Sequence, residues 1–249
     1  MDYAIEWEKG AVVAALAAAG ADVNAVSADG ATRVFRATTY NHIEVLRALI
    51  AAGADVNKEG VDYDTPLFIA CEMGHADVLD TLIAAGALVN PTEEEPPPIF
   101  VAARRGDLQM VKALIAARAN VDARTSAGST PAFVASRNGS VDILRALIDG
   151  RADVNLARDT GSTPVYIACC YGRFEVLQVL IEAQADVNAA TNTGATPVMI
   201  ARREGFDDIV QALLAAGARD VAGDYRDLEY EIVLPGFSEA GAANFDDLE

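Results

Sequence analysis

GSTPVYIACCYGRFEVLQVLIEAQADVN, residues 161–188, holds a helix start, a helix stop and a second, amphipathic helix in one short stretch. Thr163 can accept the free amide hydrogen bonds of a helix start, and Pro164 fits the first helical position, where its missing N–H costs little. Gly172 tolerates the left-handed backbone that ends such a helix. FEVLQVLI then places apolar residues on one face and polar residues outside, so a second helix follows at once. Adjacent Cys169 and Cys170 beside Tyr171 raise a chemical alternative: a thiol nucleophile, a metal site or a redox pair. A catalytic site normally occurs once in a chain, whereas an architectural pattern returns at a fixed interval.

The pattern returns. Thr32, Thr65, Pro97, Thr130, Thr163 and Thr196 stand at corresponding positions, 33, 32, 33, 33 and 33 residues apart. After them come VFRATTYN, PLFIACEMG, PIFVAARRG, PAFVASRNG, PVYIACCYG and PVMIARREG, each long enough for a short first helix. Gly74, Gly106, Gly139, Gly172 and Gly205 are expected to end these helices, with Asn41 as the replacement in the first unit. The second helices read IEVLRALI, ADVLDTLI, LQMVKALI, VDILRALI, FEVLQVLI and DDIVQALL. No single pair has enough private core to be stable, so the pairs must stack and share one interior. The spacing predicts an all-α repeat solenoid of stacked helix pairs with projecting turns or short β-hairpins.

The combined signal, from GATRVFRATTYNHIEVLRALIAAGADVN at the first unit to GATPVMIARREGFDDIVQALLAAGARD at the last, resembles the ankyrin-repeat family. Three segments are expected: a partial N-terminal capping repeat over 1–26, six full or near-full repeats over 27–220, and an acidic C-terminal extension over 221–249. The departures are specific. Arg33 stands in place of the proline and Pro97 in place of the threonine, while Phe35, Phe68, Phe100, Phe133, Tyr166 and Met199 occupy the position where the family often has histidine. A hydrophobic column there replaces polar bracing of the helix start. Arg118, Arg151 and Gln184 stand where Gly20, Gly53, Gly86 and Gly217 end other second helices; a left-handed backbone retained there costs on the order of 1 kcal/mol each. PTEEEPPP at 91–98 shortens the period by one residue and stiffens the connection.

The chain has 249 residues, 52% of them hydrophobic, which is incompatible with global disorder. Its 19 Lys and Arg against 37 Asp and Glu give a formal charge of −18, a field that disfavours nucleic-acid phosphates and anionic membranes. Residues 221–249 carry eight acids and one arginine, −7 of that total. Three readings of this tail stand: a disordered terminus, a cap over the last hydrophobic face, or a pseudo-ligand for a basic groove. Three cysteines are too few for a secreted disulfide framework. With no signal-like opening and no membrane-length apolar run, a cytoplasmic, monomeric chain is the expectation.

Cys71 and Cys169 align with Thr38, Ala103, Ser136 and Arg202, mostly small residues beside a repeated alanine, so packing explains both sulfurs. No His and carboxylate set accompanies them, and adjacent cysteines lack the spacing of a closed pair. His42 and His75, at equivalent positions before second helices, suit local hydrogen bonding, and the resemblance implies bonds linking repeat loops. No phosphate loop, zinc-protease motif or calcium loop occurs, so no catalytic, cofactor or metal residue is assigned.

The resemblance implies a noncatalytic interaction module that recognises a protein or peptide on a concave face built from turn tips and first helices. The residues assigned to that face are Tyr40, Met73, Arg104, Arg105, Arg137, Asn138, Cys170, Tyr171 and Arg203. Arg104, Arg105 and Arg137 offer cationic forks beside an apolar and aromatic platform, which suits an acidic ligand. Against that, Glu93, Glu94 and Glu95 stand ready to neutralise the arginines. Two further classes remain open: a structural spacer or assembly strut, and an accessory or effector subunit that positions a partner enzyme.

Overall fold

The computed structural model describes residues 1–61, 64–90 and 96–220. Among these the regular structure is helical, apart from an isolated antiparallel bridge between Val26 and Thr32. The projecting segments are turns, and among the described residues none forms a β-hairpin. The chain divides into two compact units, Met1–Asn120 and Val121–Glu249.

The first unit contains α1 (Asp2–Glu6), α2 (Gly10–Ala18), α3 (Arg33–Thr39), α4 (Ile43–Ala51), α5 (Pro66–Met73), α6 (Ala76–Ala84), α7 (Pro98–Arg105) and α8 (Leu108–Ala116). Helices α1, α3, α5 and α7 pack in one row, and α2, α4, α6 and α8 in a second. The second unit repeats the plan with α9 (Pro131–Asn138), α10 (Val141–Asp149), α11 (Pro164–Cys170), α12 (Phe174–Glu182), α13 (Pro197–Glu204) and α14 (Asp207–Ala215). Each unit is thus an all-α stack of helix pairs.

The start signals act as their chemistry requires. Thr32, Thr65, Thr130 and Thr163 accept from the amides of Phe35, Phe68, Phe133 and Tyr166 at 3.1–3.2 Å. At Thr196 the hydroxyl makes no such bond; its own amide instead donates to Met199 Sδ at 3.4 Å, a thioether standing where other repeats carry a ring. Pro97 has no capping side chain, so its carbonyl accepts from both Phe100 and Val101 amides at 2.9 and 3.1 Å, tightening the first turn of α7. Asn41 takes the left-handed backbone expected of it, with φ 57°.

The aromatic column is buried: Phe35, Phe68 and Phe100 in the first unit, Phe133 and Tyr166 in the second, none more than 8% exposed. Ala37, Ala70 and Ala102 beside it are fully buried, as are Ala135, Ala168 and Ala201, and their small volume lets first helices approach closely. From the second row come Leu46, Leu49, Leu79 and Leu82, also fully buried; burying one such side chain contributes about 1.5–3 kcal/mol.

Turn tips are joined by side-chain carbonyls. Asn24 Oδ1 accepts from the Asp55 amide at 2.8 Å, Asn57 Oδ1 from Leu88 at 2.8 Å and Asn90 Oδ1 from Asn120 at 2.7 Å. In the second unit Asp122, Asn155 and Asn188 accept in the same way from Asp153, Asp186 and Arg219. The histidines also link pairs. His42 Nδ1 donates to the Ile5 carbonyl at 2.7 Å, and His75 Nε2 to the Thr39 carbonyl at 3.3 Å.

Candidate functional site

A first helix that ends at its left-handed residue leaves its last two side chains beyond the packed core. In the first unit this places Tyr40 at the end of α3 with 51% of its surface exposed, and Met73 at the end of α5 with 42%. Trp7, at the end of α1 and 33 residues before Tyr40, is 58% exposed, and Arg105 ends α7 in the same register. The column therefore reads Trp7, Tyr40, Met73, Arg105. The neighbouring column contains Glu72 and Arg104, and these two meet: Arg104 Nη2 lies 2.6 Å from Glu72 Oε2. Arg105 donates to the Glu72 carbonyl oxygen.

Arg104 and Arg105 are thus brought together through one residue, Glu72, that the sequence reading did not assign to the site. The signal was available, since Glu72 stands one period before Arg104 and the opposite charges fall on facing ladder positions. Trp7 was missed for the same reason of register. Glu93, Glu94 and Glu95, expected to neutralise the arginines, lie outside the described residues, as does the tail 221–249.

Arg137, Asn138, Cys170, Tyr171 and Arg203 belong to the second unit, at the ends of α9, α11 and α13. Asn138 is exposed and the other four are half-buried. The Arg137 carbonyl accepts from Arg173 Nε at 3.0 Å, and Arg203 Nε lies 3.9 Å from Glu204 Oε1. Burial pushes the Cys170 thiol up to about 12, a hydrogen bond with the Tyr166 side chain offsetting only part of that effect. Burial also holds Cys71 and Cys169 well above the ordinary thiol range. All three sulfurs are neutral thiols near pH 7, the wrong state for a nucleophile.

Among the described residues no group of three or more His, Cys, Asp or Glu is placed to hold a metal ion. No described helix is long and apolar enough to cross a membrane.

A family model for ankyrin repeats matches the chain over residues 1–93, 86–158 and 150–224. The crystal structure of the human ASB11 ankyrin repeat domain is similar at 26% sequence identity and a TM-score of 0.75, covering 88% of this chain and 98% of that one. No curated protein matches the chain in sequence. The ankyrin fold is typically noncatalytic and its general role is to scaffold protein–protein interactions. With its repeat period, its capped helix pairs and a model match along most of its length, the chain belongs to the ankyrin-repeat family.

Proposed function

We propose that this protein is an interaction scaffold that takes up a protein or peptide on its first-helix face, with residues 1–26 and six repeats over 27–220 forming the framework. The observation that carries the reading is the exposed column Trp7, Tyr40, Met73 and Arg105 in the first unit. Three large side chains presented to water beside a guanidinium supply apolar contact area and a directional anchor, the combination that dominates binding energy at protein interfaces. On the second unit, described by itself, Arg137, Asn138, Cys170, Tyr171 and Arg203 offer a separate set of contacts, Cys170 by its shape and polarisable surface alone.

The ligand suited to this face has an apolar or aromatic side chain for Tyr40 and Met73 and a carboxylate for Arg105. Arg104 is already paired with Glu72, so an acidic ligand reaching it displaces that carboxylate or shares the guanidinium fork. Arg105 is therefore the stronger acidic anchor of the two.

Proximity labelling in the native cell tests the reading by comparing the wild-type chain with a Tyr40→Ala, Met73→Ala chain and an Arg105→Ala chain. Specific neighbours should lose labelling in both variants while the melting temperatures hold. In isolated form the partner should bind the double variant about tenfold more weakly or worse. Unchanged labelling and affinity in folded variants would leave the strut reading in its place.

A further inference from the structure

The second unit concentrates positive charge in its row of first helices. With the turns that follow them, α9, α11 and α13 (131–140, 164–173 and 197–206) hold Arg137, Arg173, Arg202 and Arg203 against a single acid, Glu204. The remainder of residues 121–220 has the opposite balance, five arginines and eleven acids. Arg202 Nη2 lies 2.9 Å from Asp220 Oδ2, and Arg203 Nε lies 3.9 Å from Glu204 Oε1. With Asp220 counted in, the row keeps a formal surplus of two positive charges. Arg173 lies across the end of α9, its Nε donating to the Arg137 carbonyl at 3.0 Å, so two of the guanidinium-bearing residues meet there.

The chain itself carries the complement. From Ala215 at the end of α14 it has returned by Asp220 to the first-helix row, where both carboxylate oxygens of Asp220 accept from Arg202, the residue beside Arg203. The sequence that follows reads DYRDLEYEI at 224–232, with Asp224, Asp227, Glu229 and Glu231 against Arg226 alone. Over 227–232 acidic and apolar residues alternate strictly, the period of an extended segment, whose acids then project to one side. Helix α11 packs on both α9 and α13, and adjacent helix axes stand about 8–10 Å apart, so α9 lies about 16–20 Å from α13. Extended chain from Asp220 to Glu231 reaches about 36 Å, enough to carry the acids across all three helices.

We propose that residues 224–232 bind as an extended segment across the ends of α13, α11 and α9, with their carboxylates on Arg203, Arg173 and Arg137. Each such contact is a charge-assisted hydrogen bond to a guanidinium, and the short tether from Asp220 holds the segment at an effective concentration on the order of millimolar. The direction of the chain suits the charges. Arg226 precedes Asp227, Glu229 and Glu231, which places the lone base nearest Glu204 at the α13 end and the acids toward Arg173 and Arg137. A ligand for the second unit's contacts must then displace this segment; that consequence rests on the proposed function, whereas the contact within the chain does not.

The full chain with p-benzoylphenylalanine in place of Asn138, an exposed residue beside Arg137, tests the contact by photo-crosslinking and mass spectrometry. The cross-link should join position 138 to residues 227–232 of the same molecule. Glu229→Lys with Glu231→Lys, which leaves every repeat untouched, should lower its yield about tenfold, as should Arg137→Glu with Arg203→Glu. All four changes in one chain should restore it. Cross-links confined to other residues, a yield indifferent to the Glu229→Lys, Glu231→Lys change, or no recovery in a folded chain with all four would overturn the proposal. So would a product at twice the mass of the chain, since the face would then belong to a second copy. None of these outcomes bears on the first-unit column, which the Tyr40, Met73 and Arg105 variants test separately.

Discussion

Arg118, Arg151 and Gln184 leave their second helices with φ of 66°, 70° and 60°, a backbone that Gly20, Gly53, Gly86 and Gly217 adopt without a Cβ. The clash of Cβ with the following carbonyl costs about 1–2 kcal/mol, partly offset because glycine has more unfolded-state freedom to lose. Replacing any of the three with glycine should therefore stabilise the chain by about 0.5–1 kcal/mol, read from urea unfolding midpoints at constant slope. The same scale decides the cysteines. Cys71 and Cys169 hold their protons more tightly folded than unfolded, so their contribution is fully present below the ordinary thiol value of 9.0 and is lost as pH rises above it. Alanine fits this position, as Ala103 shows in the third repeat. A Cys71→Ala, Cys169→Ala chain should lose less melting temperature than wild type between about pH 8 and about pH 10.

At the scale of the element, a helix pair is held by polar bonds at both ends of an apolar interior. The threonine caps were legible because the acceptor and the amide it serves lie three residues apart in one chain segment. Thr196 was not, since the loss of its bond goes with Met199, whose sulfur takes the Thr196 amide instead. The turn-tip ladder shows only as the recurring DVN of the sequence, because its acceptors and amides lie about 31 residues apart. Asn155 Oδ1 accepts from the Asp186 amide at 2.7 Å. Asn155→Ala should lower stability by about 1 kcal/mol, measured by thermal and urea melts, with no change in helix content.

Across the whole molecule, a charge of −18 sets the field that every partner meets. Mutual repulsion among 37 acids opposes folding, and salt screens it over a Debye length that falls from about 30 Å at 0.01 M to about 8 Å at 0.15 M. The melting temperature should rise over that range of sodium chloride, and calorimetry at matched pH checks it; a flat or falling midpoint would mean that local ion pairs such as Arg104–Glu72 and Arg202–Asp220 dominate the balance.

The sequence by itself determined the period, the helix pairs, their caps and the family. Each of these rests on spacing within a few residues or on repetition, and both are properties of a linear string. Tyr40 and Met73 were legible as exposed positions for the same reason. Only the tertiary structure decided that Arg104 is engaged by Glu72 and that the Cys170 thiol is shielded. Pairing and burial depend on which neighbour stands across the packing surface. A repeat sequence specifies what each position contributes to that surface, and the stacked neighbour determines whether the position is covered, paired or left to bind.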